Sequence, residues 1–437
     1  MVSTSQLYEV YLKHPLICTD TRNISPDCLF FALKGENFDG NLFAQQALDA
    51  GAAYAVVDRI TEENERFLLV NDGLRALQDL TRMHRQKLQI PVLGITGSNG
   101  KTTTKELLYA VLSQHFRTFA TSGNLNNHIG VPLSILSIKP DTELAIIEMG
   151  ANHQNEIALL SSISQPSHGL ITNIGKAHLE GFGGIEGVKI GKGELYQFLS
   201  SRDGIAFINR ESADLMEMSE RHGLKNTVYY GKSDQNEVSG ELVADSPYLK
   251  FNWHSSIKGL KGKTYTVQTH LTGAYNLDNL LAAVTAGVYF GLSPEEINAG
   301  LSGYIPNNNR SQITKTAKNT LICDYYNANP SSMHVALDNL GKMQAEHKVI
   351  ILGDMFELGE ESGFEHAEII KKAESMTVER CIFIGKDFFE QRKHAKAEFY
   401  QTTEEAYRAL QSHPVNQATV LIKGSRGMKL EKLVELF

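Results

Sequence analysis

The feature that most constrains this chain is a glycine-rich turn set between a buried-strand pattern and a helical one. Pro91-Val92-Leu93-Gly94-Ile95 is a short apolar run, and the residues after Lys101, TTTKELLYAVLSQHF, repeat their apolar positions at helical spacing. Between them lies Thr96-Gly97-Ser98-Asn99-Gly100-Lys101-Thr102-Thr103. Unpaired N–H groups at a helix N-terminus, approached closely because glycine has no side chain, form a site for phosphate oxygens. In that geometry Gly97, Ser98, Asn99, Gly100, Lys101, Thr102 and Thr103 would cradle ATP. Lys101 would reach the β and γ phosphates, and Thr102 would place its hydroxyl on Mg²⁺. The strict spacing asks for glycine where Ile95 stands, so the flanking strand and helix carry the reading. A bare turn would leave Gly-Lys-Thr-Thr unexplained.

A strand, loop and helix of this kind commit their surroundings to an α/β fold, and the rest of the chain agrees. At roughly 150 residues per domain, 437 residues suggest about three domains. Residues 1–89 read as a small α/β domain, with apolar runs at Tyr54 to Asp58 and Phe67 to Val70, a helical stretch from Asn41 to Ala50, and a helix from Gly73 to Leu88. Residues 90–305 read as a central parallel-sheet domain. Its strands are Val92 to Thr96, Leu144 to Met149, Gly169 to Asn173 and Ile205 to Ile208, with helices after Lys101, His153 and Ile185. Between Thr227 and Leu271 short alternating runs (TVYYG, GELVADS, YLKFNW, YTVQTHL) suggest appended antiparallel strands. Two helices follow, Leu277 to Phe290 and Pro294 to Leu301, the second with Ser293 as its cap. After the turn-rich Pro306 to Asn309, residues 306–437 resume βα alternation at Thr320 to Cys323, Val349 to Leu352, Cys381 to Ile384 and Val420 to Ile422, a Rossmann-like α/β pattern.

Other chemistry-bearing residues fall at strand ends, where ligands gather in open α/β sheets. Glu148 ends one apolar run and is a candidate Mg²⁺ ligand; His178 follows the next. Lys189 and Lys192 are three apart on one helical stretch. Either is a solvated lysine or, with a lowered pKa, one able to react with CO₂ and offer carbamate oxygens to a cation.

The balance of 42 Lys plus Arg against 50 Asp plus Glu gives a net charge of -8, so no global basic field draws in nucleic acid. Cys18, Cys28, Cys323 and Cys381 show no CxxC pairing and read as buried thiols in a reducing compartment. No run approaches the ~18 apolar residues of a membrane span, and a cytoplasmic location is expected.

Taken together, these segments resemble the Mur ligases of bacterial peptidoglycan synthesis over nearly the whole chain. Asp20-Thr21-Arg22, the run from Leu29 to Gly35, and Phe38-Asp39-Gly40 look like the family's UDP-sugar-binding domain, which implies Asp20, Thr21, Arg22, Asp39 and Gly40 as substrate contacts. Asn41 stands where the family usually has His. TGSNGKTTT is similar to the family's ATP loop, and the run from Thr121 to Asn127 to a segment touching the muramoyl peptide, which implies Asn124, Asn126 and Asn127. Glu148 and His178 fall on the family's Mg²⁺ positions, and Lys192-Gly193-Glu194 on its carbamylated lysine, which selects Lys192. Gly273 to Asn279 is similar to the stretch supplying an asparagine to adenine, either Asn279 or Asn276.

In the third domain, Cys323-Asp324-Tyr325-Tyr326-Asn327-Ala328-Asn329-Pro330 is close to the Asp-Asp-Ser-Tyr-Asn-Ala-Asn-Pro signature of the branch that adds D-alanyl-D-alanine, with Cys323 in place of the first Asp. Gly353 to Gly359 and Lys423-Gly424-Ser425-Arg426 are further matches. The resemblance implies Arg310 and Asp324 as ATP contacts and Tyr326, Asn327 and Asn329 as substrate contacts. It implies a monomer whose substrates are UDP-MurNAc-tripeptide and D-Ala-D-Ala, and a mechanism of charge stabilisation by Lys101, His178, Lys192 and Arg310. Diaminopimelate and lysine both remain open as the third residue of the tripeptide.

Overall fold

The computed structural model describes residues 1–244, 248–257, 259–392 and 397–437. Among these residues three larger sheets follow one another along the chain. The first has four parallel strands in the order Ile17–Cys18, Leu29–Phe31, Tyr54–Val57, Phe67–Leu69. The helix expected from Asn41 to Ala50 divides into a 3-10 turn, Gly40–Phe43, and an α-helix, Ala44–Asp49. The Asp39 carboxylate causes this by accepting the Asn41 N–H and capping the tighter turn. The helix Gly73–Lys87, capped by Asp72, then leads to the central sheet.

That sheet has nine strands in the order Tyr265–Gln268, Lys250–Ser255, Val238–Ala244, Asn226–Gly231, Ile205–Asn209, His168–Ile171, Val92–Thr96, Leu144–Glu148, Thr118–Ala120. Val92–Thr96 is buried at every residue and lies between Leu144–Glu148 and His168–Ile171, parallel to both. The chain places its next two strands on one side of Val92–Thr96 and then crosses to the other. The crevice at that reversal, outside the carboxyl ends of the strands, is where ligands bind in such sheets.

The strands appended between Thr227 and Leu271 are not all antiparallel, as their alternation suggested. TVYYG lies in Asn226–Gly231, which pairs in parallel with Ile205–Asn209, and Val238–Ala244 joins it in parallel at Tyr230 and Gly231. Only from Val238–Ala244 outward are the pairs antiparallel. Alternation reports which faces of a strand are covered, not the direction of its neighbour. Residues 245 and 246 of the GELVADS run lie outside the described residues.

The third sheet has the order Gln312–Lys315, Thr320–Asp324, Thr419–Lys423, Lys348–Gly353, Arg380–Ile384, Glu398–Tyr400 and is parallel except at its first strand. The short, half-buried edge strands Thr118–Ala120, Gln312–Lys315 and Glu398–Tyr400 have no strong apolar run and went unread in the sequence. Capping boxes start the helices at Pro294 and Pro330, from Ser293 and Asn329 respectively.

Chain folding also alters the reading of the cysteines. All four are free, Cys381 only half-buried, and parallel pairing brings Cys18 beside Cys28 despite their separation in sequence. Burial, with Cys18 as a hydrogen-bond neighbour, pushes the Cys28 thiol up to about 12.

Candidate active site

A cavity of about 730 Å³ opens over the carboxyl ends of the central strands and is closed from above by the third domain. The nucleotide loop forms its floor. Gly97 has φ +141, and a Cβ there would meet the Thr172 hydroxyl at 2.0 Å; Gly100, at φ +77, caps the helix Lys101–Leu112. The loop is tied to the segment after His168–Ile171: Asn99 N–H donates to Asn173 Oδ1 at 3.0 Å, and Thr172 Oγ1 donates to the Asn99 carbonyl at 2.6 Å. Ser98 Oγ exchanges hydrogen bonds with the Gly175 backbone at 2.9 and 3.1 Å. Lys101 Nζ donates to the Gly97 and Ser98 carbonyls at 2.7 and 3.2 Å. Burial lowers its pKa to about 8, Glu148 opposing the fall and Arg310 adding to it.

Glu148, at the end of its strand, is buried. Its Oε1 accepts from Asn126 Nδ2 at 2.9 Å and from Thr102 Oγ1 at 3.3 Å, whereas Oε2 is buried with no hydrogen-bond partner. Lys105 Nζ stands 3.8 Å from Oε2 and donates to the Thr121 carbonyl at 2.6 Å. The segment from Thr121 to Asn127 is thereby fastened to the nucleotide loop, and Asn124, Asn126 and Asn127 line the cavity. A buried carboxylate oxygen with unused acceptor capacity beside a threonine hydroxyl is donor chemistry suited to Mg²⁺. Among the described residues no three His, Cys, Asp or Glu side chains converge on one metal position. His178 lines the cavity, with Nδ1 paired to Glu357 of the third domain.

Lys189 and Lys192 separate sharply. Lys189 Nζ meets Asp214 at 2.8 Å and Glu186 at 3.2 Å, an ion-pair cluster. Lys192 is 1% exposed, behind the cavity wall, with Nζ donating to the Ala151 carbonyl at 3.0 Å. Burial, reinforced by the charge of Lys101, pushes its amine well below the usual lysine range. The neutral amine that reaction with CO₂ requires is thus favoured at Lys192.

Asn279 lies directly over Gly100, its Oδ1 accepting from Thr104 Oγ1 at 3.0 Å and its Nδ2 donating to Asn276 Oδ1 at 2.8 Å. Both asparagines line the cavity. From the third domain come Arg310, Asp324, Tyr326, Asn327 and Asn329. The Arg310 guanidinium sits 3.9 Å from the Tyr326 ring centre, and its buried Nε has no hydrogen-bond partner. Asp324 accepts from Lys423 Nζ at 2.7 Å and from Ser311 N–H at 3.2 Å. Contacts between the domains run through Asn329 Nδ2 to Asn99 Oδ1 at 2.8 Å and Lys176 Nζ to Glu365 Oε1 at 2.5 Å.

Asp20, Thr21, Arg22, Asp39 and Gly40 do not join this cavity. Asp20 and Arg22 pair with each other, and Asp39 holds Arg59 at 2.7 Å. Fully buried Asn41 bonds Asp39 and Asp58 through Nδ2 at 2.7 and 2.8 Å, and its Oδ1 accepts the Asp58 and Arg59 N–H groups. Its place in the fold is as a brace.

Three regions match family domains: residues 15–85 the Mur ligase family catalytic domain, 95–287 the Mur ligase middle domain, and 309–426 the Mur ligase glutamate ligase domain. The UDP-N-acetylmuramoyl-tripeptide--D-alanyl-D-alanine ligase of Bacillus subtilis (strain 168) is 35% identical over 98% of this chain and 94% of its own length. The chain belongs to the Mur ligase family. Its fold is similar to a crystal structure of MurF from Acinetobacter baumannii, with a TM-score of 0.87 and 33% identity over 96% of this chain and 92% of that one. It is also similar to MurF ligase from Thermotoga maritima in complex with ADP, with a TM-score of 0.85 and 26% identity over 98% and 97%.

Lys105 and Asn173 of this Mur ligase site were given no role from the sequence, and Tyr275 and Lys423 stood there only inside matched segments without a role of their own. Lys105 follows Lys101 by one helical turn, a signal that was available. Tyr275, with its hydroxyl 2.5 Å from Ser311 Oγ, and Lys423, on Asp324, acquire partners only when distant segments meet.

Proposed function

We propose that this Mur ligase joins D-alanyl-D-alanine to the terminal carboxylate of UDP-N-acetylmuramoyl-tripeptide with consumption of ATP, in the cytoplasm and as a monomer. The observation that carries the reading is the single cavity in which the nucleotide loop, Glu148 and the segment Tyr326–Asn329 face one another. Among the described residues no helix is long and apolar enough to cross a membrane.

An amide cannot form directly from a carboxylate, because oxide would be the leaving group. The substrate carboxylate therefore attacks the γ-phosphate of ATP, releasing ADP and giving an acyl phosphate. The dipeptide amine then attacks the acyl carbon, and phosphate departs. Both steps concentrate negative charge, so the chain's work is positioning and charge stabilisation. Lys101 and Arg310 approach the phosphates from opposite domains, and Asn279 and Asn276 sit where adenine would be held against the loop. Asn126 and Asn127 orient the muramoyl peptide, and Asp20, Thr21, Arg22, Asp39 and Gly40 hold its distant UDP end. Thr102 and Glu148 would hold Mg²⁺, with His178 and a carbamate on Lys192 supporting a second ion. When bound, these ions neutralise phosphate charge.

The test measures phosphate release with UDP-MurNAc-tripeptide while varying the amine. Release with D-Ala-D-Ala should far exceed that with D-Ala or with no amine. Equal release in all three would overturn the proposal.

A further inference from the structure

The residues assigned above to the UDP end of the substrate lie on the first domain, away from the cavity where the peptide carboxylate must react. Two sites that hold one molecule need a fixed separation. The helix Gly73–Lys87 sets it, because it belongs to the first domain and packs on the central helices Gly130–Leu136 and Glu156–Ser164.

Near the end of that helix stands Arg85, only 8% exposed. Its guanidinium is met by backbone carbonyls. Nε donates to the Ser164 carbonyl at 2.9 Å, Nη2 to those of Gln165 at 3.1 Å and Ile90 at 3.5 Å, and Nη1 to that of Leu88 at 2.7 Å. Ser164 and Gln165 end the central helix, and Leu88 ends the helix of Arg85 itself. The last carbonyls of a helix have no partner within it and carry the negative end of its dipole. One buried cation therefore ties two helix C-termini, one from each domain.

The contacts around it agree. Gln78 Nε2 donates to the His128 carbonyl at 3.1 Å, Arg82 Nη2 to Ser162 Oγ at 3.2 Å, and the Tyr11 hydroxyl to the Leu136 carbonyl at 2.6 Å. Leu136 is buried in one apolar cluster with Leu77 and Leu80. The opposite end of Glu156–Ser164 reaches the cavity: Asn152, Glu156 and Leu159 line it, and the Ala151 carbonyl accepts from Lys192. This helix has nine residues, so about 14 Å of rigid rod joins Arg85 to the cavity wall.

We propose that Arg85 is a positioning residue for the ligation. By joining the two helix ends it fixes the first domain relative to the cavity, so that a substrate gripped at its UDP end presents its peptide carboxylate to the nucleotide loop. The inference rests on the ligase reading above. Two grips on one molecule reinforce each other only when their spacing matches that molecule.

Calorimetry with a non-hydrolysable ATP analogue present compares UDP-MurNAc, which carries the UDP end without the peptide, with UDP-MurNAc-tripeptide. The wild type should bind the tripeptide form more tightly, by on the order of 10²-fold. Arg85→Gln should bind UDP-MurNAc as the wild type does but lose most of the gain from the peptide. Its KM for UDP-MurNAc-tripeptide should rise by a similar factor, with KM for ATP little changed. Arg85→Lys, which keeps a charge at the two helix ends, should keep part of the gain, and decides the matter if the Gln variant does not fold. A merely structural role would weaken both ligands alike. A wild type that gains nothing from the peptide, or variants that keep the full gain or lose both affinities equally, overturns the assignment of Arg85. A wild type that releases no phosphate with ATP, UDP-MurNAc-tripeptide and D-Ala-D-Ala instead overturns the ligase reading.

Discussion

The nucleotide loop and Arg310, which face the cavity from opposite domains, are held on opposite plans. On the central-domain side the nucleotide loop is already satisfied: Ser98, Asn99 and Lys101 have their polar groups tied to residues 97–99 and 172–175. On the third-domain side Arg310 keeps a buried Nε without a partner. Preorganised donors stabilise charge without reorganising at the moment of reaction. Groups with unused hydrogen-bonding capacity complete their partnerships only when substrate arrives. On the ligase reading proposed above, phosphate holding falls to the fixed loop and closure to the third-domain side.

Substitutions at five positions sharpen or break this contrast. The largest effect is expected for Lys101→Ala, with a loss on the order of 10³-fold in single-turnover phosphate release. Near wild-type turnover would remove the loop from the chemistry. Arg310→Ala should cost about 10²-fold in kcat, with nucleotide affinity, measured by calorimetry, changed much less. An equal loss of affinity would group Arg310 with the fixed loop.

Lys192→Ala should lose roughly 10- to 100-fold in activity and recover part of it with a small carboxylic acid that fills the gap, while Lys189→Ala remains active. Full activity without additive would end the carbamate idea, and ¹³C-bicarbonate labelling of the wild type provides a readout independent of turnover. The smallest effect belongs to Glu365→Gln, which removes the ion pair with Lys176. Because that lysine is half-exposed, the pair contributes at most ~1 kcal/mol, so a rate change under about fivefold is expected. Small-angle scattering should show the Gln variant more open without ligands. An unchanged radius would mean that other contacts hold the domains together.

Much of the fold was legible because its signals are local. Val92–Thr96 is a run of buried residues, the helix at Lys101 follows two glycines, and Ser293 and Asn329 sit before proline as caps. Edge strands such as Gln312–Lys315 were not, since half-covered residues carry no strong pattern. Direction was also hidden: Asn226–Gly231 alternates and yet runs parallel to its neighbour. In the site, the loop residues and Glu148 stood out by their place at strand ends, whereas Lys423 and Tyr275 matter through partners about 100 and 36 residues away.

The two lysines of one helix mark the boundary most clearly. By itself the sequence determined that Lys189 and Lys192 lie on a helix, because helical periodicity is settled within a few turns. Only the tertiary structure decided that acidic side chains from the helix Ala213–Arg221 surround Lys189, while Lys192 is sealed against the Ala151 carbonyl and the Phe182 ring. A lysine's pKa depends on solvent and charge within a few ångströms, and those are supplied by segments that local sequence does not name. The same holds for Tyr326: sequence provides the residues, and the meeting of loops far apart in the chain brings the Arg310 and Arg426 guanidiniums to 3.9 and 4.9 Å from the centre of one ring.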